Sequence, residues 1–138
     1  EVPVLNILDL GIVRDVILNE DEVEVIITPT YSGCPAMDAI SLDIRLKLLE
    51  NGFKKIKITT ILSPAWTTDW MSEAGKIKLK EYGIAPPLYS KNALQEEIIC
   101  PHCHSSDTKL LSQFGSTACK ALYQCNDCKE PFDYFKCH

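Results

Sequence analysis

Residues 22–52 read EVEVIITPTYSGCPAMDAISLDIRLKLLENG, and the periodicity changes in the middle of the stretch. Val23, Val25 and Ile27 alternate with Glu24, Ile26 and Thr28, the period-2 pattern of a strand with one apolar face. Beyond Pro35 the period becomes helical: Met37, Ile40, Ile44 and Leu48 share one face. Leu42, Leu46 and Leu49 form a second stripe on roughly the opposite side. Pro35 suits the first turn of this helix, where its missing N–H is not needed, and Asn51-Gly52 suits its stop. At the handover from strand to helix stands Cys34, between Gly33 and Pro35, while the other six cysteines lie from Cys100 to Cys137.

Working outward, GIVRDVIL precedes the strand and is separated from it by polar Asn19-Glu20-Asp21, which predicts an antiparallel hairpin. After the helix, FKKIKITTIL predicts a third strand. Ser72 can cap a further helix running to about Tyr82 and stopping at Gly83. Pro86-Pro87 and the polar stretch to Gln95 read as a linker. From Glu97 onward cysteines, aromatics and short β-like runs dominate: TKLLSQFGSTACKALYQC reads as two strands joined at Gly115-Ser116, and EPFDYFKCH as a last strand. The fold class expected is α+β. A small mixed strand/helix domain occupies residues 1–88, a linker 89–97, and a β-rich ribbon 98–138. The second leucine stripe is too apolar for open water. It calls for cover by the other domain or by a partner, or for plain burial in a compact chain.

The formal net charge is −5, and no run of lysines or arginines exceeds two residues. This disfavours nucleic-acid binding, which draws its affinity largely from neutralising phosphates. No apolar run approaches the roughly 20 residues that span a bilayer, and no signal-peptide pattern is present, so no membrane role is expected. The first residue is Glu1 rather than Met, consistent with an upstream piece having been removed. Seven cysteines cannot pair completely, and four of them form two C-x-x-C pairs, which points to metal binding in a reducing compartment, the cytoplasm.

The ribbon has about 40 residues, too few to stabilise itself by apolar burial alone. Its staple is Cys100-Pro-His-Cys103 with Cys125-Asn-Asp-Cys128. Two residues between paired cysteines let one tight turn aim both thiolates at one ion, and two such knuckles supply a tetrahedral four-thiolate shell, the spacing of a structural zinc ribbon. The same four thiolates could instead hold iron, or act as redox dithiols. A closed four-thiolate shell leaves no open position, so the metal is expected to be structural. His102 and His104 flank the first knuckle and are expected to be exposed rather than ligating. Cys119 and Cys137 read as small core residues, or one of them helps Cys34 hold a second, labile metal or cluster.

At Cys34, unpaired amides and the positive end of a helix dipole would favour thiolate, and Thr28, Thr30 and Ser32 place hydroxyls nearby. The alternative is a buried cysteine at a helix start. All three histidines lie beyond residue 100, so the first domain offers no base for a Cys–His nucleophile. A thiolate that binds metal, cluster or sulfur transiently needs none. Asp9 and Asp69 are candidate oxygen ligands, and Trp66 and Trp70 are either core or an aromatic docking surface.

PVLNILDLGIVRDV followed by TPTYSGCPAMD resembles the iron–sulfur cluster assembly domain of Suf-associated and cytosolic cluster-targeting proteins. LSPAWTTDWMSEAGKIKLKEYGIAPP and the ribbon CPHC…FGSTACKALYQCNDCKEPFDYFKC extend the resemblance over nearly the whole chain to the PaaD family of phenylacetate degradation, also called the PaaJ subunit of phenylacetate-CoA oxygenase. The resemblance implies that Cys34 is the functional thiol. It also implies an accessory protein, not an enzyme, that matures or inserts the iron–sulfur or di-iron centre of the multicomponent phenylacetyl-CoA epoxidase. The partner would be the reductase or the oxygenase component, and a transient iron–sulfur cluster or iron would join the structural zinc. The alternative is a non-catalytic structural or regulatory subunit of that complex, and a homo-oligomer stays open. The family's assembly domain opens with a helix and an Asp-Pro-Glu stretch. Neither precedes EVPVL here, so that N-terminal helix is expected to be missing from this sequence.

Overall fold

The computed structural model describes residues 5–87 and 97–136. It resolves into two compact units, residues 11–66 and residues up to Leu10 together with Thr67 onward.

In the first unit, β1 (Val13–Leu18) and β2 (Glu22–Ile27) form the expected antiparallel hairpin. The Asn19 N–H donates to the Glu22 carbonyl at 2.8 Å to close its turn. Helix α1 (Ala36–Glu50) then carries the chain across to β3 (Lys55–Thr60), which pairs parallel to β2, giving the order β1-β2-β3. Pro35 sits at the N-cap and Gly52, at φ +91, follows the C-cap Asn51. The alternation read in β2 is the one observed: Val23, Val25 and Ile27 are buried, and Ile56 and Ile58 face the same way through the pairs Val23↔Ile56 and Val25↔Ile58. Glu24 lies on the other face, where it accepts from Thr59 Oγ1 at 2.6 Å and pairs with Lys57. Of the two stripes on α1, Met37, Ile40, Ile44 and Leu48 are half-buried, whereas Leu42, Leu46 and Leu49 stay exposed. Among the described residues, then, the second stripe is not buried. Trp66 is core at 3% exposure and Trp70 is half-buried.

In the second unit, Ser72 caps α2 (Glu73–Glu81) as expected, its Oγ accepting from the Gly75 N–H at 2.9 Å. The chain turns at Gly83 into β4 (Ile84–Ala85). β5 (Thr108–Ser112), β6 (Lys120–Cys125) and β7 (Pro131–Phe135) complete a sheet in the order β4-β7-β6-β5. The compact units divide after Leu10 and after Trp66. The reason is that β4 pairs parallel with β7, and that Asp9 ties the N-terminal turn to α2: its carboxylate accepts from Ser72 Oγ at 2.8 Å and Lys78 Nζ at 2.7 Å. The expected linker falls on residues 88–96, outside the described residues. The Gly115 N–H donates to the Lys120 carbonyl at 2.8 Å, and a Cβ there would meet Asp133 Oδ1 at 2.8 Å, so the Asp133 side chain would have to shift. No helix among the described residues is long and apolar enough to cross a membrane.

Candidate functional site

The two C-x-x-C turns are built alike. The Cys100 N–H donates to the Ser105 carbonyl at 2.9 Å and the Cys125 N–H to the Glu130 carbonyl at 3.0 Å, each closing a loop of the same length. The residue after each second cysteine is left-handed, His104 at φ 65 and Lys129 at φ 66. That conformation lets the backbone fold back under the sulfurs. The turns are braced against each other by the Asn126 N–H on the Asp107 carbonyl (2.8 Å), Asn126 Nδ2 on Asp107 Oδ1 (2.7 Å) and Ser105 Oγ on Asp127.

This bracing brings Cys100, Cys103, Cys125 and Cys128 into one cluster, with all four sulfurs within 4.8 Å of one another. Cys100 and Cys128 are 3.8 Å apart, Cys103 and Cys125 3.5 Å. A tetrahedral ion with bonds of about 2.3 Å to sulfur needs sulfur–sulfur edges of about 3.8 Å, so the shell fits such an ion and is too open for disulfides. Cys100 and Cys125 are fully buried in a core of Ala85, Ile98, Ala121, Phe132 and Tyr134, with Tyr123 stacked on Phe132 at 6.0 Å. Cys103 is the exposed member. The backbone N–H of Cys128 brings the Cys125 thiol down to about 7. The Glu130 N–H pulls Cys128 the same way, but burial and the thiols of Cys103, Cys125 and Cys100 push it up to about 12. Without a metal, then, one thiolate forms readily and opposes the next. A divalent cation removes that opposition. His102 and His104 stay outside the cluster.

Cys34 lies in a turn whose two hydrogen bonds are the Cys34 N–H on the Tyr31 carbonyl and the Met37 N–H on the Cys34 carbonyl, both 3.3 Å. Gly33, at φ +79, makes the turn, and a Cβ there would meet nothing within 4 Å. The thiol is free and half-buried. Among the described residues, no cluster of three or more metal-ligating side chains includes it. Asp9 is engaged by Lys78 and Ser72, which hold its carboxyl below the usual carboxylate range, and is not an idle ligand. Cys119 is core at 4% exposure, its sulfur 3.0 Å from Thr117 Oγ1, while Cys137 lies outside the described residues. Just past the end of β2, Thr28 is 1% exposed and its hydroxyl has no hydrogen-bond partner among the described residues. Alternation placed Thr28 on the polar face with Glu24, and so gave no signal of its burial.

Comparisons with known proteins agree with this division. The family described as "Iron-sulfur cluster assembly protein" matches residues 2–58, which include Cys34. The "PaaD zinc beta ribbon domain" matches residues 85–136, which include all four clustered cysteines. The chain is 52% identical over 139 residues to a protein of Escherichia coli (strain K12) named as one of the subunits of a "Putative 1,2-phenylacetyl-CoA epoxidase", covering 99% of this chain and 84% of that protein. The chain belongs to the PaaD family. A second relative of this PaaD-family chain, "Fe-S protein maturation auxiliary factor" of Porphyromonas gingivalis (strain ATCC BAA-308 / W83), is 40% identical over 81 residues, 57% of this chain and 76% of the relative. The crystal structure of a DUF59 domain from Bacillus anthracis superposes with a TM-score of 0.52 at 31% identity, covering 54% of this chain and 74% of that one.

Proposed function

We propose that this protein is an accessory factor that matures the iron–sulfur or di-iron centre of a phenylacetyl-CoA epoxidase, without catalytic turnover of its own. In this reading Cys34 is the working thiol and the ribbon is a zinc-held scaffold. Kinship over the full chain with a protein named as an epoxidase subunit, joined to an assembly domain that carries a free, half-buried thiol, supports it most directly. The four-sulfur shell is closed and half sunk in an aromatic core, so its metal, which we take to be zinc, has a structural task. Cargo handling falls to the free thiol outside that shell. A half-buried sulfur can take iron or a cluster and release it, because among the described residues no cluster of three or more ligating side chains includes it. The partner would be the reductase or the oxygenase component, in the cytoplasm.

The test is a deletion strain growing on phenylacetate as the carbon source. The expected outcome is epoxidase polypeptides that are made but short of iron or sulfide. The native gene rescues growth, and Cys34→Ala fails to rescue although it folds and keeps its zinc. Normal metal content and activity in the epoxidase of the deletion strain would overturn the proposal. The Escherichia coli relative is named as a component of the epoxidase itself, which favours a second reading, a non-catalytic member of the complex. Co-purification at fixed stoichiometry with a fully metallated epoxidase would establish that reading instead.

A further inference from the structure

Two close sulfur contacts run through the four-cysteine cluster, Cys103 with Cys125 at 3.5 Å and Cys100 with Cys128 at 3.8 Å. Each contact takes one sulfur from each knuckle. Each also joins an accessible residue to a fully buried one. Cys103 is exposed and Cys128 half-buried, whereas Cys125 and Cys100 are fully buried.

The knuckles are held face to face by bonds that involve no sulfur. The Asn126 N–H on the Asp107 carbonyl, Asn126 Nδ2 on Asp107 Oδ1 and Ser105 Oγ on Asp127 all run from one knuckle to the other. These bonds keep the paired sulfurs opposed at the moment a reagent reaches the accessible member. An approach of about 1.5 Å then separates the closer pair from a bonded distance of about 2.05 Å.

We propose that Cys103 is an oxidation site for peroxides, through which the ribbon exchanges its metal staple for a covalent one: a Cys103–Cys125 disulfide, followed by Cys100–Cys128. The Cys103 thiolate attacks one oxygen of hydrogen peroxide, the O–O bond breaks, and a sulfenic acid and hydroxide form. The Cys125 thiolate then attacks that sulfur, the S–S bond forms, and a second hydroxide leaves. Two thiolates have lost two electrons, and the two peroxide oxygens have gained them. Metal ligation needs thiolate, so two of the four ligands are gone and the ion is released. A second peroxide repeats the sequence at Cys128, with Cys100 as the resolving thiolate. Burial directs the order, since peroxide meets the buried sulfurs only through their accessible partners. The two bonds would link residues 22 and 28 apart and tie together the turns that the ion tied.

The test uses the zinc-loaded full chain, reduced and free of air, given hydrogen peroxide in about tenfold excess. Zinc content before peroxide checks the four-sulfur shell by itself, and the sulfur pairing afterwards checks the exchange. A chromogenic chelator should record one zinc released per chain. Peptide mapping without reductant should find Cys103 joined to Cys125 and Cys100 joined to Cys128. The amides of Ala121, Tyr123 and Phe132 should stay protected in the oxidised chain, and dithiothreitol with zinc should restore the starting form. Cys103→His keeps a four-ligand shell that zinc accepts but removes the exposed sulfur, and should slow zinc release about tenfold. Where that variant takes no zinc, mapping of the unaltered chain decides. Retention of zinc under peroxide overturns the proposal. So do disulfides confined within the knuckles, Cys100 to Cys103 and Cys125 to Cys128, sulfinic acid at Cys103 without a cross-link, or unchanged release from zinc-loaded Cys103→His.

Discussion

Cys125, the last residue of β6, and Cys34, in the turn before α1, are both free thiols, yet their surroundings differ in every respect that sets the chemistry of sulfur. Cys125 is fully buried, 3.5 Å from Cys103 and packed in a core with Phe132 and Tyr134. Cys34 is half-buried, with open space at Gly33 and no cluster of ligands around it among the described residues. A metal at Cys125 is held by four bonds and a dry wall, so its binding energy is folding energy. A metal or cluster at Cys34 would have one protein bond and a way out. On the proposed reading the same side chain would serve permanence in one half and exchange in the other, according to the number of neighbouring sulfurs.

The largest expected effect breaks the first half of this contrast. Stripping the metal, or making Cys125→Ser, should unfold the ribbon, a loss on the order of 10 kcal/mol. Amide exchange over residues 97–136 should become unprotected while Val23, Val25 and Ile27 stay protected, and metal analysis should find one zinc lost per chain. Protected ribbon amides without metal would mean that the aromatic core suffices. Cys34→Ala should change stability in urea unfolding by about 1 kcal/mol or less, with zinc retained.

Thr28 sharpens the second half. A buried hydroxyl without a partner costs about 1–3 kcal/mol, so the near-isosteric Thr28→Val should raise stability by about that much in denaturant unfolding. A variant that is more stable and yet fails to support growth on phenylacetate would mark Thr28 as part of the Cys34 site. No gain in stability would show that the hydroxyl is satisfied in solution.

Smaller effects test how the knuckles are made. His104 holds a left-handed conformation that glycine adopts without strain, so His104→Gly should stabilise the zinc-bound ribbon by about 0.5–1 kcal/mol, read from its thermal midpoint. His104→Val should lower it. Finally, Lys78 and Ser72 depress the Asp9 carboxyl, so its contribution is complete above the unfolded carboxylate range, near pH 4, and fades as pH falls through the lower folded value. Asp9→Asn should remove that part of the acid dependence below about pH 5, followed by unfolding at each pH.

Much of this protein was determined by local sequence. Period 2 in residues 23–27, period 3.6 in 37–49 and the caps at Pro35, Ser72 and Gly83 are set by near neighbours, and each element stands where those signals put it. The four-cysteine cluster was legible for the same reason: C-x-x-C constrains its own turn, and a tetrahedral shell needs only two such turns to meet. Tertiary structure alone decided the rest. Parallel pairing of β3 with β2, and of two-residue β4 with β7, depends on contacts far apart in sequence, and the latter joins residues 67–87 to the ribbon in one compact unit. The outer stripe of α1 was visible as leucines but not as exposed leucines, because exposure depends on what packs where. Likewise, a threonine at a strand end carries no mark of whether its hydroxyl will find a partner. That depended on how the chain closed over Thr28, a packing outcome no local pattern encodes.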